Sequence, residues 1–257
     1  MKRSLFPRVM TAVVLFFFYL PILILILNSF NASRFGSGWQ GFSLAWYGRL
    51  FHEPEIWRAA RTSLAIALAA TLAAVVLGTT AAFALHKYLG SRLQRLHYAL
   101  VATPLVVPEI LVGISLLMFF VAAGVQLGFL SIFSAHVTIC VSYVAMVVLA
   151  RLQDFDFSVV EAARDLGAGW WQAAWKVLLP MLLPGILAGG LLAFTLSIDD
   201  FVITFFVAGP GTTTLPIQVY SMIRHGSPPL INALSTILLV ITFTAVLLSQ
   251  RLSRMKR

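Results

Sequence analysis

Charged side chains are scarce in this chain of 257 residues: Asp, Glu, Lys and Arg together make up 11% of it. Soluble domains carry about a quarter, so the shortage argues against a fold solvated by water. Hydrophobic residues make up 60%, more than a globular core can use. Cysteine is reduced to Cys140. That excludes an intrachain disulfide, and inside an apolar run it reads as a small buried thiol. The apolar runs lack period-two alternation, which excludes a barrel. Each spanning backbone must then satisfy its own hydrogen bonds, so the runs are helices. No lysine follows a glycine: Lys2, Lys87, Lys176 and Lys256 come after Met1, His86, Trp175 and Met255. A phosphate-binding loop needs Gly-Lys before Ser or Thr, so the chain hydrolyses no nucleotide by that route. His86, His97 and His136 stand isolated, without ligand spacing, which excludes a metal site. No G-x-S-G motif offers an intramembrane nucleophile.

What is present is a series of apolar runs, each near the roughly 20 residues a bilayer crossing needs. Six spans are expected: Val9 to Leu27, Ser63 to Leu85, Tyr98 to Ala122, Ile132 to Ala150, Leu182 to Val207 and Ile231 to Ser249. The first follows Met1-Lys2-Arg3, is too long for a typical signal peptide and lacks a clear cleavage site, so it is read as an uncleaved span. The expected fold is therefore an all-α membrane protein, a single domain over residues 1–257.

The net charge of +9 does not imply nucleic acid, because the cations cluster at the ends of apolar runs. One face of the membrane receives Lys2, Arg3, Arg8, Lys87, Arg92, Arg95, Arg151, Arg164, Lys176, Arg251, Arg254, Lys256 and Arg257. The other receives only Arg34, Arg49, Arg58, Arg61 and Arg224. The positive-inside rule puts both termini in the cytoplasm. The long outer loop, Asn28 to Thr62, carries Trp39, Trp46, Tyr47 and Trp57. These suit either an interfacial aromatic belt or a docking surface for an external partner.

Between the fourth and fifth spans lies a polar segment, residues 151–181. Ser158 and Glu161 have the spacing of a capping box, which predicts a helix from Val159 to about Leu166. Gly167 suits its left-handed C-terminal position. A second helix is expected from Trp170 to Leu179, with Pro180 and Pro184 leading into the fifth span. The result is a knuckle on the cytoplasmic face. On spacing alone it could equally be a loop lying on lipid headgroups through Trp170, Trp171 and Trp175.

Three acids fall inside expected spans: Glu109, Asp199 and Asp200. Each would cost about 2.5–3.5 kcal/mol at a helix centre, so each is a functional candidate. Glu109 follows Pro108, with Pro104 a turn earlier, and the prolines predict a kink there. Asp200 shares a helical stripe with Ser197 and Thr204, and Asp199 pairs with Thr195. Asp200 is favoured for a pathway, with Phe201, Phe205 and Phe206 offering aromatic faces to an organic ammonium ion. A structural alternative is that the carboxylates cap a helix end or pair with another subunit. Gly185 and Gly189 permit close helix packing, within the chain or between subunits.

The polar segment resembles the signature of permease subunits of ATP-binding-cassette importers. That signature reads E-A-A, three residues, G, nine residues, I, one residue, L-P. Here it is Glu161-Ala162-Ala163, Gly167, Val177 and Leu179-Pro180, with Val177 in place of isoleucine. Three further stretches are similar to the spermidine/putrescine-type permeases: Gly41 to Tyr47, Phe194 to Phe206, and Gly209-Pro210-Gly211 through Thr214-Leu215-Pro216 to Tyr220-Ser221. The resemblance implies that the motif residues couple the chain to cytoplasmic ATPases, by helix-in-groove docking. It implies two such ATPases holding ATP and Mg, a second permease, and an external solute-binding protein. It also implies the bacterial cytoplasmic (inner) membrane as location, and no cofactor or enzymatic activity in this chain. Tyr220 joins Glu109, Asp199 and Asp200 as a candidate pathway residue for a polyamine-like cation. The rivals are a permease for another small solute, or a self-sufficient carrier or channel, although no paired Asn-Pro-Ala half-helices are present.

Overall fold

The computed structural model describes residues 5–34, 38–224 and 226–255. Lys2, Arg3, Lys256 and Arg257 of the charge pattern lie outside the described residues. In chain order the helices are α1 (Leu5–Ser29), α2 (Ala45–Phe51), α3 (Pro54–Lys87), α4 (Arg92–Val106), α5 (Glu109–Ala122) and α6 (Phe129–Gln153). Then come α7 (Ser158–Asp165), α8 (Trp170–Ala173), a π-helical turn (Ala174–Leu178), α9 (Leu179–Asp199), α10 (Val202–Val207), α11 (Leu215–Arg224) and α12 (Pro228–Met255). Among the described residues the only extended pairing is an isolated bridge between Asn31 and Phe42.

Among the described residues four helices are long and apolar enough to cross a membrane: Phe6–Ser29, Pro54–Lys87, Phe129–Gln153 and Trp170–Asp199. These correspond to the first, second, fourth and fifth expected spans. The third differs from the expectation of one helix over Tyr98–Ala122. It is two helices, α4 and α5, bent by 110°. The break falls where the sequence put the kink, at extended Val107 and at Pro108, which caps α5. Pro104 stays inside α4. The fifth span also differs. Its helix ends at Asp199 instead of running to Val207, and α10 restarts after a break at Asp200 and Phe201. In α12 the described apolar stretch is Pro228–Thr244.

The chain divides into two compact units, residues 58–217 and residues 1–57 with 218–257. In the discontinuous unit, α12 packs on α1 and α2. Its loop is built around Asn31, whose amide nitrogen donates to the Gly38 carbonyl (2.7 Å). The Asn31 Oδ1 accepts from the Ser33 and Gln40 backbone N–H groups. Trp46 Nε1 donates to the Asn31 carbonyl and the Tyr47 hydroxyl meets Ser29 Oγ, so one ring is fastened to the loop and the other to the end of α1. Trp39 is exposed.

In the other unit, α6 is the central post. With no water to expel, close contact must come from shape, and small residues supply it. Gly78 of α3 and Gly189 of α9 both lie against Val144 of α6. A methyl group built on Gly78 would sit 2.7 Å from Val144 Cβ, and one on Gly189 3.3 Å from its Cα. Gly185 packs on the Arg151 side chain. The Gly185/Gly189 pair is thus used inside the chain. Around this contact Ala74, Leu85, Cys140, Val148, Leu152 and Leu182 form one buried cluster. A second cluster, with Phe120, Ile132, Ala135, Ile203 and Val207, joins α5, α6 and α10.

Candidate functional site

The polar segment after α6 starts differently from the expected capping box. Ser158 is the first helical residue and Phe157 the cap position, with no side-chain cap from it. Asp156 takes that role: its Oδ1 accepts from the Ser158 N–H at 3.0 Å. The Ser158 hydroxyl and backbone N–H together hold the Asp156 carboxyl below the usual range. The far end behaves as its glycine predicts. Gly167 has φ +93°, and the N–H groups of Gly167 and Ala168 reach back to the carbonyls of Arg164 (2.9 Å) and Ala163 (3.1 Å). That pair of bonds is a Schellman closure.

The second predicted helix, Trp170 to Leu179, is not separate. α8, the π turn and α9 are continuous from Trp170 to Asp199. The Leu179 N–H reaches five residues back, to the Ala174 carbonyl. The widened turn makes room for the Pro180 ring, which in a regular helix presses on the carbonyl one turn earlier. The fifth span is therefore rigidly extended into the polar segment.

One side of the segment is anchored. Phe155, Phe157, Leu178 and Leu179 pack on the buried cluster around Val148 and Leu152. Phe157 also stacks on His86 at the end of α3. The other side is open. Leu166 is 90% exposed, and Trp170, Trp171 and Trp175 are also exposed. Glu161, Arg164, Asp165 and Trp170 line an open recess of about 470 Å³ beside Gly167. Of the motif residues, Glu161, Ala162, Gly167 and Pro180 are exposed, and Ala163, Val177 and Leu179 are half-buried. An exposed leucine and three tryptophans rimmed by charge form a surface suited to a partner.

The three acids are placed apart in character. Glu109 is exposed and opens α5, where a carboxylate complements the helix N-terminus. Asp199 is exposed at the last turn of α9. Asp200 is turned into the protein. Its Oδ2 accepts from the Thr204 N–H (2.8 Å) and the Thr204 hydroxyl (2.6 Å), and Oδ1 from the Ile203 N–H (3.4 Å). His136 Nε2 lies 3.3 Å from Oδ2. The other ring nitrogen of His136 is 2.7 Å from Ser197 Oγ.

Asp200, Ser197 and Thr204 do meet, as their spacing predicts, but across a helix break and through His136 instead of along one helical stripe. The oxygens of Asp200 are engaged within the chain in the manner of the helix-capping alternative. Thr195 gives its hydroxyl to the Leu191 carbonyl. Phe201 and Phe205 are 5.5 Å apart, with Phe205 exposed and Phe206 against Gly113. Tyr220 lies on α11 and is 42% exposed. Sequence reasoning missed His136, set aside as isolated, and His86 with Phe157. An imidazole inside an apolar run was the available signal, since burial demands two partners for its nitrogens.

Residues 74–256 match the family described as "Binding-protein-dependent transport system inner membrane component". The spermidine/putrescine transport system permease protein PotC of Escherichia coli K12 is 42% identical over 240 residues, covering 93% of this chain and 90% of that protein. The putrescine transport system permease protein PotI of the same organism is 44% identical over 229 residues, covering 87% of this chain and 82% of PotI. Among solved structures, a bacterial transporter importing the acidic polysaccharide alginate aligns with TM-score 0.73 at 18% identity, covering 96% of this chain and 97% of that one. The MetNI methionine transporter aligns with TM-score 0.65 at 21% identity, over 79% of this chain and 97% of that one. A fold shared with importer membrane subunits, and close identity along nearly the whole length, lead to one assignment: this chain belongs to the inner membrane component family of binding-protein-dependent transport systems.

Proposed function

We propose that this chain is the permease subunit of an ATP-driven importer of polyamines or related organic cations. The observation that carries it is the segment from Glu161 to Pro180. It has the importer signature, an anchored inner side and an open outer side bearing Leu166 and three tryptophans. Names borne by the relatives, spermidine and putrescine, supply the substrate class.

In this reading residues 1–257 act as one permease domain with six crossings. The bent pair α4–α5 is one of them and α12 the last, and both termini are cytoplasmic. A second permease completes the pathway. Two cytoplasmic ATPases, which bind ATP and Mg, seat on the knuckles, and an external solute-binding protein delivers cargo. Closure of the ATPases moves Glu161, Ala162, Ala163 and Gly167. The motion crosses the turn at residues 167–169 and passes through Val177, Leu179 and Pro180 into α9, because the helix is continuous from Trp170 to Asp199. Glu109 and Asp199 in one unit, and Tyr220 in the other, are each a candidate contact for the cation. Dispersed carboxylates lower its barrier without trapping it, since a site must be weak enough to leave.

The test is uptake of labelled putrescine or spermidine into vesicles holding the reconstituted complex. ATP-dependent accumulation that requires the ATPase and the binding protein supports the reading. Transport by the purified chain alone, or no amine uptake by the complete complex, overturns it.

A further inference from the structure

His136 is 3% exposed and its ring nitrogens contact two hydroxyl groups and a carboxylate. The protons can be placed by elimination. The Thr204 hydroxyl donates to Asp200 Oδ2, so the 2.9 Å contact between Thr204 Oγ1 and His136 Nε2 requires the ring to be the donor. The same N–H points toward Asp200 Oδ2 at 3.3 Å. Nδ1 then meets Ser197 Oγ. Ser197 is on the last turns of α9, Thr204 is on α10, and Asp200 is the extended residue between them. One ring from α6 therefore holds both lips of the break.

We propose that His136 is a positioning residue that clamps the break in the fifth span and thereby fixes the presentation of the Asp199 carboxylate. The backbone at Asp200 is extended, with φ −61° and ψ 122°, and the helical ladder is interrupted there. In hydrocarbon such a break persists only where other groups satisfy the freed donors. Asp200 satisfies those of Ile203 and Thr204, and His136 holds Asp200. Asp199 is one residue away, exposed on the last helical turn. Its direction depends on where the helix stops. Without the clamp α9 can continue through position 200, which takes its carboxylate off the Ile203 and Thr204 N–H groups and changes what surrounds position 199. The inference rests on the proposed transport role only for its consequence, because the clamp itself is a property of the fold.

The experiment reads position 199 directly. In the assembled complex carrying Cys140→Ala and Asp199→Cys, the rate of modification by a cationic methanethiosulfonate reagent is measured with and without His136→Ala. The expected result is a change of about fivefold or more in that rate, the equivalent of one lost hydrogen bond. His136→Gln, whose amide can take the Nε2 position, restores the rate, and His136→Asn, which reaches only toward Ser197, does not. An unchanged rate in His136→Ala overturns the proposal. If His136→Ala fails to assemble, equal rates for the Gln and Asn variants overturn it. Amine uptake kinetics give the second reading: His136→Ala raises the KM, but adds nothing in an Asp199→Asn background. Multiplying effects in that double variant also overturn it. The modification rates stand whether or not amines prove to be the cargo.

Discussion

His86, in the last turn of α3, stacks on Phe157, with ring centroids 5.0 Å apart and planes within 16°. Phe157 meets Phe155 edge-on at 4.9 Å, and both pack on the buried cluster that includes Leu85 and Leu152. The second span is thereby tied to the residue that precedes α7. Two of the attachments of the proposed coupling segment to the membrane helices differ in kind. One is the continuous helix through Leu179, and the other is this stack.

The stack should matter for transmission more than for folding. An aromatic pair contributes about 0.5–1.5 kcal/mol beyond its burial. Phe157→Ala should lower amine uptake per ATP hydrolysed by roughly threefold to tenfold, with ATPase association retained. Phe157→Tyr and His86→Phe keep a stackable ring and should stay near the unaltered ratio. Paired uptake and phosphate-release assays check this, and a normal ratio in Phe157→Ala would remove the stack from the transmission path.

Gly167→Ala isolates backbone strain. Nothing lies within 4 Å of a methyl group there, yet φ is +93°. The cost is then the left-handed conformation, about 1–2 kcal/mol, without any clash. The Schellman closure should fray, and the recess beside Leu166 should lose its shape. ATPase co-purification should fall while thermal stability of the spans is kept. Loss of both together would show that the segment is not a separable element.

Asp156→Ala removes the acceptor that starts α7. The carboxyl of Asp156 is held below its ordinary value by Ser158. A lowered folded value means the contribution is complete above the unfolded value of about 3.9 and is lost as pH falls through the lower folded one. The protection of the Ser158 amide, its exchange rate relative to that of an unstructured amide at the same pH, should be high and flat from neutral pH down to mildly acidic pH. In Asp156→Ala the protection should be lower throughout. A midpoint in protection near pH 6 would point to a different group.

Helix content and the polar segment were legible because they rest on local rules. An apolar run has one way to satisfy its backbone in lipid, and Gly167 has one reason to follow Leu166. The departures differ in cause: the break in the fifth span depends on a partner far along the chain, whereas the start of α7 depends on a neighbour that the box does not count. The fifth span looked unbroken because Asp199 to Val207 reads as helix on its own, and the acceptor that stabilises the break is stabilised in turn by His136, on α6. Ser158 looked like a cap because the box counts forward from it. Asp156, two residues earlier, made the closer bond. Helix spacing grouped Ser197, Asp200 and Thr204 correctly, although the path between them was not helical.

Gly78→Ala should damage packing by a different route from Gly167→Ala. Its methyl group would lie 2.7 Å from Val144 Cβ and 3.0 Å from the Ala145 nitrogen, where Val144 is fully buried. Overpacking of this kind costs about 1–3 kcal/mol. Val144→Ala keeps Cβ but removes Cγ1, which would lie 2.8 Å from the new methyl group, so it should recover the part of the loss due to that contact, despite the cavity it opens toward Gly189. Thermal unfolding in detergent of both single variants and the double variant gives the coupling. Additive losses would place the strain at Val144 Cβ and the Ala145 backbone instead of at Val144 Cγ1.

Asp199→Asn and Asp200→Asn should separate adjacent acids by role. Asp200 accepts from two backbone N–H groups and the Thr204 hydroxyl and lies beside His136. An asparagine keeps one acceptor oxygen and offers an N–H₂ group to donors that cannot receive it. Such a mismatch at a buried site costs about 1–3 kcal/mol, so Asp200→Asn should reduce assembly and thermal stability along with uptake. Asp199 is exposed, and its substitution removes a charge without orphaning a partner at the break. Asp199→Asn should assemble normally and raise the KM for a divalent amine more than for a monovalent one. The order of the two variants decides the matter. If Asp200→Asn assembles fully and alone loses amine selectivity, the inner carboxylate faces the cation and the capping role assigned to it is wrong.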